Sequence, residues 1–183
     1  EMCIRDSIED ALAGIAHVVV PGRLQRIDEG QDYLAIVDYA HKPAAVAAVI
    51  ATLRSEIKGR LCVVLGAGGD RDASKRAIMG REAARGSDLF IVTDDNPRSE
   101  DPAVIRAAVE AGAYELPTEE RGEVRNIGDR AAAIRAAIAW AEPGDAVLVA
   151  GKGHETGQNV NGVIHHFDDR EEAVSYTHLT LPT

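Results

Sequence analysis

Cysteine is almost absent from the chain, which has only Cys3 and Cys62 among its 183 residues. Two cysteines cannot form a disulfide framework, nor can they supply a cysteine-rich zinc site. No run of apolar residues approaches the ~20 that a membrane-spanning helix needs. The first residues also lack the basic start and the apolar run of a secretory signal peptide. We therefore expect a protein of a reducing compartment with no membrane partner.

Positive charge is also scarce, because 20 Lys and Arg residues stand against 30 Asp and Glu, which gives a formal charge of −10. Affinity for nucleic acid comes mainly from neutralising phosphates, so this balance argues against a nucleic acid as partner. The hydrophobic fraction of 45% is ordinary for a globular protein and excludes general disorder. The length allows one domain and part of a second, since a domain typically takes ~100–200 residues.

Short β-branched runs alternate with alanine-rich stretches along the body of the chain. This pattern predicts strands at residues 34–37, 61–65, 89–93 and 146–150, and a short strand at 124–127. It predicts helices at residues 43–57, 75–85, 102–113 and 130–141. Asn161-Gly162 between two short runs predicts a hairpin. The expected fold is α/β and Rossmann-like, a mostly parallel sheet with helices on both faces and an antiparallel edge hairpin.

Four of the predicted strands end in loops rich in glycine, histidine or charge, at residues 38–43, 66–72, 94–98 and 151–155. Parallel strands present their carboxyl ends at one edge of the sheet, where open α/β sheets bind ligands. That edge would combine the guanidinium groups of Arg71 and Arg98 with the carboxylates of Asp70, Asp95 and Glu155. Arginine binds a carboxylate through paired hydrogen bonds, and a carboxylate holds an ammonium. The loops therefore predict a zwitterionic ligand such as an amino acid.

Each loop has a simpler explanation when it is taken alone. Glycine-rich loops are common because tight turns need them. Asp94 and Asp95 with Arg98 could be helix capping and a solvated ion pair. Single histidines such as His41 and His154 more often form local hydrogen bonds than act in catalysis. The binding hypothesis depends on the coincidence of four such loops at one edge.

Taken together, the loops resemble those of the Mur ligases, which build the peptide stem of peptidoglycan precursors. The matching segments are residues 18–23, 38–43, 68–72, 95–98 and 151–155. Their order and spacing make the resemblance specific, and it extends from about residue 11 to 172. In that family the motif Asp95-Asn96-Pro97-Arg98 marks members that add meso-diaminopimelate, whereas lysine-adding members differ at the arginine.

The resemblance implies a cytoplasmic ATP-dependent amide ligase of peptidoglycan biosynthesis, and thus of cell-wall biogenesis, cell shape and cell division. ATP would phosphorylate the terminal carboxylate of UDP-N-acetylmuramoyl-L-alanyl-D-glutamate. The amino group of meso-diaminopimelate would attack the acyl phosphate, and ADP and phosphate would leave. Magnesium would offset the phosphate charge. We expect ATP, the UDP-linked dipeptide and meso-diaminopimelate as partners, and we expect the protein to be a monomer.

The same resemblance assigns roles to individual residues. It assigns binding of meso-diaminopimelate to Arg71, Asp95, Asn96, Pro97, Arg98, Gly151 and Glu155. It places Asp38 and His41 near the ribose and base of ATP, and Arg23 on the phosphate side at a domain hinge. It assigns no catalytic residue and no metal ligand to this chain.

The resemblance also divides the chain into segments. Residues 8–23 match the end of the family's central ATPase domain and its hinge, and residues 24–174 match the C-terminal domain. Residues 1–7 and 175–183 match neither and are interpreted as foreign tails. The family's uridine-nucleotide domain, its Gly-Lys-Thr phosphate loop, its magnesium ligands and its carbamylated lysine are not in this sequence. We therefore expect the chain alone neither to hydrolyse ATP nor to ligate.

Two other functions stay open at this point. One is a free-standing Rossmann-like module that binds an amino acid or nucleotide without chemistry. The other is a ligase of the folylpolyglutamate or cyanophycin type, which shares the Asp-x-Ala-His-x-Pro loop at residues 38–43. The motif at residues 95–98 argues against the second.

Overall fold

The computed structural model describes residues 20–180, with side chains to residue 177. The strands are β1 (Gln25–Ile27), β2 (Leu34–Asp38), β3 (Leu61–Leu65), β4 (Leu89–Val92), β5 (Glu123–Asn126), β6 (Ala146–Ala150), β7 (Gly157–Val160) and β8 (Val163–His166). The helices are α1 (Pro43–Glu56), α2 (Lys75–Gly86), α3 (Pro102–Tyr114), α4 (Arg130–Trp140) and α5 (Asp169–Thr180), with a 3-10 turn at Thr118–Glu120. The interpretations of residues 1–7, 8–19 and 181–183 lie outside the described residues.

Six strands form one sheet in the order β1-β2-β6-β3-β4-β5. All neighbours from β2 to β5 pair in parallel, and only β1 runs antiparallel to β2. Strand β6 lies between β2 and β3, where Val149 is opposite both Val37 and Val64. The predicted Rossmann-like, mostly parallel sheet is confirmed.

The predicted hairpin is present, but its place at the edge of the sheet was wrong. Strands β7 and β8 form a separate two-stranded antiparallel sheet with Asn161-Gly162 at its turn. The antiparallel edge strand of the main sheet is β1, which the sequence pattern did not predict. The hairpin instead packs beside the loop after β4, where Arg98 and Val160 form an isolated parallel bridge.

Helices cover both faces of the sheet, as predicted. Successive side chains of a strand point to opposite faces, so β3 divides between two cores. Leu61, Val63 and Leu65 pack in the core that also contains buried residues of α1, α2 and α3. Cys62 and Val64 pack in the core that includes α4 and α5. Burial on this second face raises the pKa of the Cys62 thiol above its ordinary value.

Two of the predicted helix starts show their cause in the structure. Pro102 occupies the first turn of α3, where its missing N–H costs no hydrogen bond. Asp101 and Asp129 cap α3 and α4, and their side chains accept the backbone N–H groups of Ala103 and Ala132 at 2.8 and 2.9 Å. Within residues 20–180, no helix is both long and apolar enough to cross a membrane.

Helix α5 was not predicted as an element. It runs from Asp169 to Thr180 and passes without interruption across the boundary expected between residues 174 and 175. Its side chains contribute to the core, because Ala173 is buried and Tyr176 stacks beneath the guanidinium of Arg135 at 4.7 Å. Tyr176 and Thr177 therefore pack against the preceding elements, while Ser175 is exposed.

Helices α2 and α3 approach each other at a pair of glycines. A Cβ atom built on Gly112 would lie 1.7 Å from the carbonyl oxygen of Ala77, and one on Gly80 would lie 1.8 Å from that of Val109. We expect Gly112→Ala to force the helices apart and to lower the free energy of unfolding by about 1–3 kcal/mol. Urea denaturation measures this change.

The matched control is Ala111→Ser on the exposed side of the same helix, where we expect a change within about 0.5 kcal/mol. Alanine favours a helix over glycine by about 1 kcal/mol. A Gly112→Ala variant more stable than the original chain by this amount would therefore mean that the close approach carries no packing energy.

Candidate functional site

A cavity of about 270 Å³ lies at the carboxyl ends of β2, β3, β4 and β6, where the four predicted loops meet. Parallel pairing of these strands brings loops from distant parts of the sequence to one edge. The lining residues are Tyr39, His41, Gly66, Ala67, Gly68, Arg71, Lys75, Met79, Asp95, Asn96, Arg98, Gly151 and Glu155.

Six of the seven residues expected to bind an amino acid line this cavity. Pro97 is the exception, because it is buried and does not line the cavity. Its carbonyl oxygen accepts the N–H of Glu100 at 3.0 Å. The same oxygen lies 1.9 Å from where a Cβ of Gly69 would be, so the glycine loop and the loop after β4 are in close backbone contact.

Only one of the three residues expected near ATP lines the cavity. His41 lines the cavity, with Nδ1 2.8 Å from the carbonyl oxygen of Tyr39. Asp38 and Arg23 are not among the lining residues. Asp38 accepts the N–H groups of Leu24 and Ala40 at 2.7 and 2.8 Å, so its carboxylate joins the end of β2 to the segment before β1. Arg23 stacks on the Tyr39 ring at 5.5 Å.

The cationic side of the cavity carries Arg71, Lys75 and Arg98. Arg98 donates through Nη1 to the carbonyl of Gly69 at 2.7 Å, which fixes its guanidinium across the glycine loop. Arg98 and Asp70 both have φ of 52°, a left-handed conformation that side chains rarely adopt. The Ser99 hydroxyl donates to Asp70 at 2.7 Å and holds the two loops in this arrangement.

A buried arginine, Arg76, connects the loops that carry Arg71 and Arg98. Arg76 donates to both carboxylate oxygens of Glu100, at 2.9 and 2.8 Å, and to the carbonyl of Gly68 at 3.3 Å. Glu100 also accepts the N–H of Asp70 at 2.5 Å. These hydrogen bonds, first that from Arg76, lower the pKa of the Glu100 carboxyl. The pair therefore joins the glycine loop to the segment that follows Arg98.

The anionic side contains Asp95 and Glu155, joined by the amide of Asn96. Asn96 Nδ2 donates to Asp95 Oδ1 at 2.9 Å and to Glu155 Oε2 at 2.8 Å. Gly151 has φ of 114°, and a Cβ there would lie 2.8 Å from Asp95 Oδ2. A glycine is therefore needed for Asp95 to occupy this position.

Asp94 does not form the solvated ion pair with Arg98 that was the simpler explanation of this loop. It pairs with Arg106 of α3, while Arg98 reaches the glycine loop, so no Asp94–Arg98 ion pair forms. Behind both loops lies a fully buried pair, Arg130 and Asp169, joined at 2.7 and 2.8 Å. Arg130 also donates to the carbonyls of Asp94 and Ala150 at 3.3 and 2.9 Å, the residues from which the loops after β4 and β6 start.

The loop after β6 also touches the segment before β1. A Cβ on Gly22 would lie 2.1 Å from the carbonyl carbon of Gly153, and one on Gly153 would lie 2.6 Å from the carbonyl oxygen of Gly22. Both glycines have positive φ, at 66° and 54°. The two backbones therefore pack directly against each other.

Sequence reasoning missed several residues of the site. Lys75 and Met79 line it from the first turns of α2, and Lys152 is completely buried beside Asn96 and Glu155. A signal for the first pair existed, because the first turn of a helix after a glycine loop faces the ligand edge of a parallel sheet. Arg130 and Asp169 carried no such signal, although each is the first residue of a helix.

The residues that the structure describes contain no group of three or more His, Cys, Asp or Glu side chains able to hold a metal ion. We assign magnesium no step at this cavity.

The fold and cavity define an α/β domain whose cavity is lined both by guanidinium groups and by two carboxylates joined through an amide. The model of the family described as Mur ligase, glutamate ligase domain, matches residues 22–153. The chain belongs to this family, as its loops predicted. The hairpin, α5 and Glu155 lie beyond the matched range.

Relatives with curated names agree with the family. The chain is 69% identical over 161 residues to the UDP-N-acetylmuramoyl-L-alanyl-D-glutamate–2,6-diaminopimelate ligase of Corynebacterium efficiens, covering 87% of this chain and 31% of that protein. It is 47% identical over 176 residues to the ligase of the same name from Bacteroides fragilis, covering 94% and 36%. The chain thus spans about a third of the length of these relatives.

Solved structures show the same fold. A structure of a UDP-N-acetylmuramoyl-L-alanyl-D-glutamate–2,6-diaminopimelate ligase superimposes with a TM-score of 0.78 at 38% identity, covering 93% of this chain and 37% of that one. A bifunctional folylpolyglutamate synthase/dihydrofolate synthase with Mn, AMPPNP and L-glutamate bound gives a TM-score of 0.58 at 26% identity, covering 81% and 32%.

Proposed function

We propose that this chain is the acceptor-binding part of an ATP-dependent amide ligase that adds meso-diaminopimelate to UDP-N-acetylmuramoyl-L-alanyl-D-glutamate. The reaction belongs to peptidoglycan synthesis and takes place in the cytoplasm. The observation that carries the proposal is that guanidinium groups and carboxylates line the same cavity. The guanidinium groups are those of Arg71 and Arg98, and the carboxylates are those of Asp95 and Glu155.

This charge pattern fits diaminopimelate better than lysine. Diaminopimelate ends in a carbon that bears both an ammonium and a carboxylate, whereas lysine ends in an ammonium alone. Arg98 and Arg71 would bind the distal carboxylate, and Glu155 would bind the distal ammonium. Buried polar groups left without a partner penalise a substrate that lacks the matching group. Arg98, whose side chain is partly buried, would therefore select against lysine.

The chain's own residues bind and orient the acceptor in this proposal. The attacking amino group must be neutral and must point out of the cavity toward the acyl phosphate. Holding the distal end of the amino acid at a fixed wall converts the attack into a positioned reaction, which is a large source of rate. His41, Asp38 and Arg23 would contribute to the ATP side, and magnesium would neutralise phosphate charge with ligands outside this chain.

A chimera tests the proposal. Residues 24–174 would replace the corresponding part of the Corynebacterium efficiens ligase, and phosphate release would be measured with the UDP-linked dipeptide, ATP and each acceptor. We expect release that depends on meso-diaminopimelate and is at least about 100-fold slower with lysine. The 183-residue chain alone is the control, and we expect no release from it.

Three outcomes would count against the proposal. Equal rates with lysine and meso-diaminopimelate would refute acceptor selection by this cavity. Phosphate release with L-glutamate as acceptor would instead favour a ligase of the folylpolyglutamate type. A folded chimera without any acceptor-dependent release would favour a binding module without chemistry.

A further inference from the structure

The side chain of Asn96 uses all of its hydrogen-bonding capacity inside the protein. An asparagine amide has two N–H donors and an oxygen that accepts two hydrogen bonds. Nδ2 donates to Asp95 Oδ1 at 2.9 Å and to Glu155 Oε2 at 2.8 Å. Oδ1 accepts the backbone N–H of Asn159 at 2.8 Å and the ammonium of Lys152 at 3.4 Å. Asn96 therefore has no hydrogen bond left to offer a ligand.

The ammonium of Lys152 is the only charged partner among these four contacts that is completely buried. The side chain has no exposure, and Nζ donates to the carbonyl of Gly157 at 2.6 Å. Nζ also lies 3.5 Å from Glu155 Oε2. A buried charge is costly unless it is paired and hydrogen-bonded. These contacts satisfy that requirement and tie the ammonium to the loop after β4, to Glu155 and to strand β7.

The direction of the Asn96 amide follows from this network. With a cation and a backbone N–H on one side, the oxygen must face them, and the NH₂ group must face Asp95 and Glu155. The NH₂ group then bridges two carboxylates that would otherwise repel each other. A rotation of the amide by 180° would remove both bridging bonds and would turn the NH₂ group toward the ammonium of Lys152 and the N–H of Asn159, so each of these donors opposes it.

We propose that Lys152 is a positioning residue: its buried ammonium orients the Asn96 amide, which holds Asp95 and Glu155 together as a two-carboxylate receptor for the ammonium of the acceptor amino acid. The receptor's ligand rests on the proposed function, whereas the orientation of Asn96 does not. Through these two hydrogen bonds the Asn96 side chain sets the positions of both carboxylates.

Side-chain NMR of the 183-residue chain tests the orientation without any ligand. The sequence has four asparagines, Asn96, Asn126, Asn159 and Asn161, so labelling with ¹⁵N-asparagine gives a simple spectrum. We expect the Asn96 NH₂ protons to exchange with solvent at least about tenfold more slowly than those of the exposed Asn126. In Lys152→Met we expect the Asn96 signals to shift and to lose this protection, while the Asn126 signals stay in place.

The matched control is Lys58→Met, which removes an exposed lysine outside the site and should leave all Asn96 signals unchanged. If Lys152→Met does not fold, Lys152→Gln removes the charge with a shorter polar chain and is measured in the same way. Rapid exchange of the Asn96 protons in the original chain, or an unchanged Asn96 signal in a folded variant, would overturn the proposal.

Calorimetry with meso-diaminopimelate tests the receptor. We expect Lys152→Met to weaken binding about tenfold. In a Glu155→Gln background the same substitution should change the affinity less than about twofold, because its effect passes through Glu155. Independent, multiplying effects would overturn the positioning role. If the original chain binds no meso-diaminopimelate, the proposed function loses support, and the NMR result alone decides the orientation of Asn96.

Discussion

Replacing Asp169 with alanine is expected to lower the free energy of unfolding by about 3–5 kcal/mol, because it leaves the guanidinium of Arg130 buried without its counter-charge. Neither side chain of this pair is exposed to solvent. Arg130 would keep its bonds to the carbonyls of Asp94 and Ala150 but lose both bonds to a carboxylate. Urea denaturation followed by the fluorescence of the single tryptophan, Trp140, measures the loss.

Two controls separate a buried charge from lost contacts. The double variant Arg130→Met/Asp169→Leu removes both charges, and we expect it to recover much of the stability, as buried pairs replaced by apolar residues often do. Asp28→Ala breaks a pair with Arg26 whose side chains are 59% and 63% exposed, and it should cost no more than about 1 kcal/mol. A single Asp169→Ala variant no less stable than Asp28→Ala would contradict the burial argument.

Arg98→Ala is expected to reduce the preference for meso-diaminopimelate over lysine by at least about 100-fold. In the proposed function Arg98 binds the carboxylate that lysine lacks, so affinity for lysine should change much less. The comparison uses calorimetry on the chain and turnover in the chimera, with both amino acids in each case. The two assays separate binding from positioning for attack.

The control for this variant is Arg85→Ala, which removes a half-exposed arginine at the end of α2, away from the cavity. Arg98 also holds the carbonyl of Gly69. Arg98→Lys therefore serves as a second variant that keeps a positive charge at the position. An unchanged preference in Arg98→Ala would refute the role of this arginine in selecting the carboxylate.

The sheet was predictable from sequence because its strands are short apolar runs separated by helix starts and glycines. Residues 61–65 and 146–150 match β3 and β6 at every residue. Strand β1 escaped prediction because Gln25 to Ile27 has only one buried residue and no apolar run. Helix α5 escaped because its sequence is mostly polar, and packing against α4 and β2, which no local pattern reports, accounts for its burial.

The site was predictable at the level of loops but not of contacts. Parallel strands bring the ends of β2, β3, β4 and β6 together whatever the side chains are, so Arg71, Arg98 and Glu155 could be placed at one edge. Which of these residues would bond to each other depends on long-range packing. Lys152 illustrates this, because nothing in its local sequence indicates that it is completely buried beside Asn96.

The backbone contact between Gly22 and Gly153 couples the position of the segment before β1 to ligand binding at the loop after β6. The segment at residue 22 cannot shift without displacing the loop at residues 151–155, since no side chain lies between them to absorb the movement. A molecule that tightens the loop must therefore also stiffen the segment before β1. Thermodynamic linkage makes the effect mutual. If a ligand in the cavity strengthens the binding of a partner to that segment by some factor, the partner strengthens the binding of the ligand by the same factor.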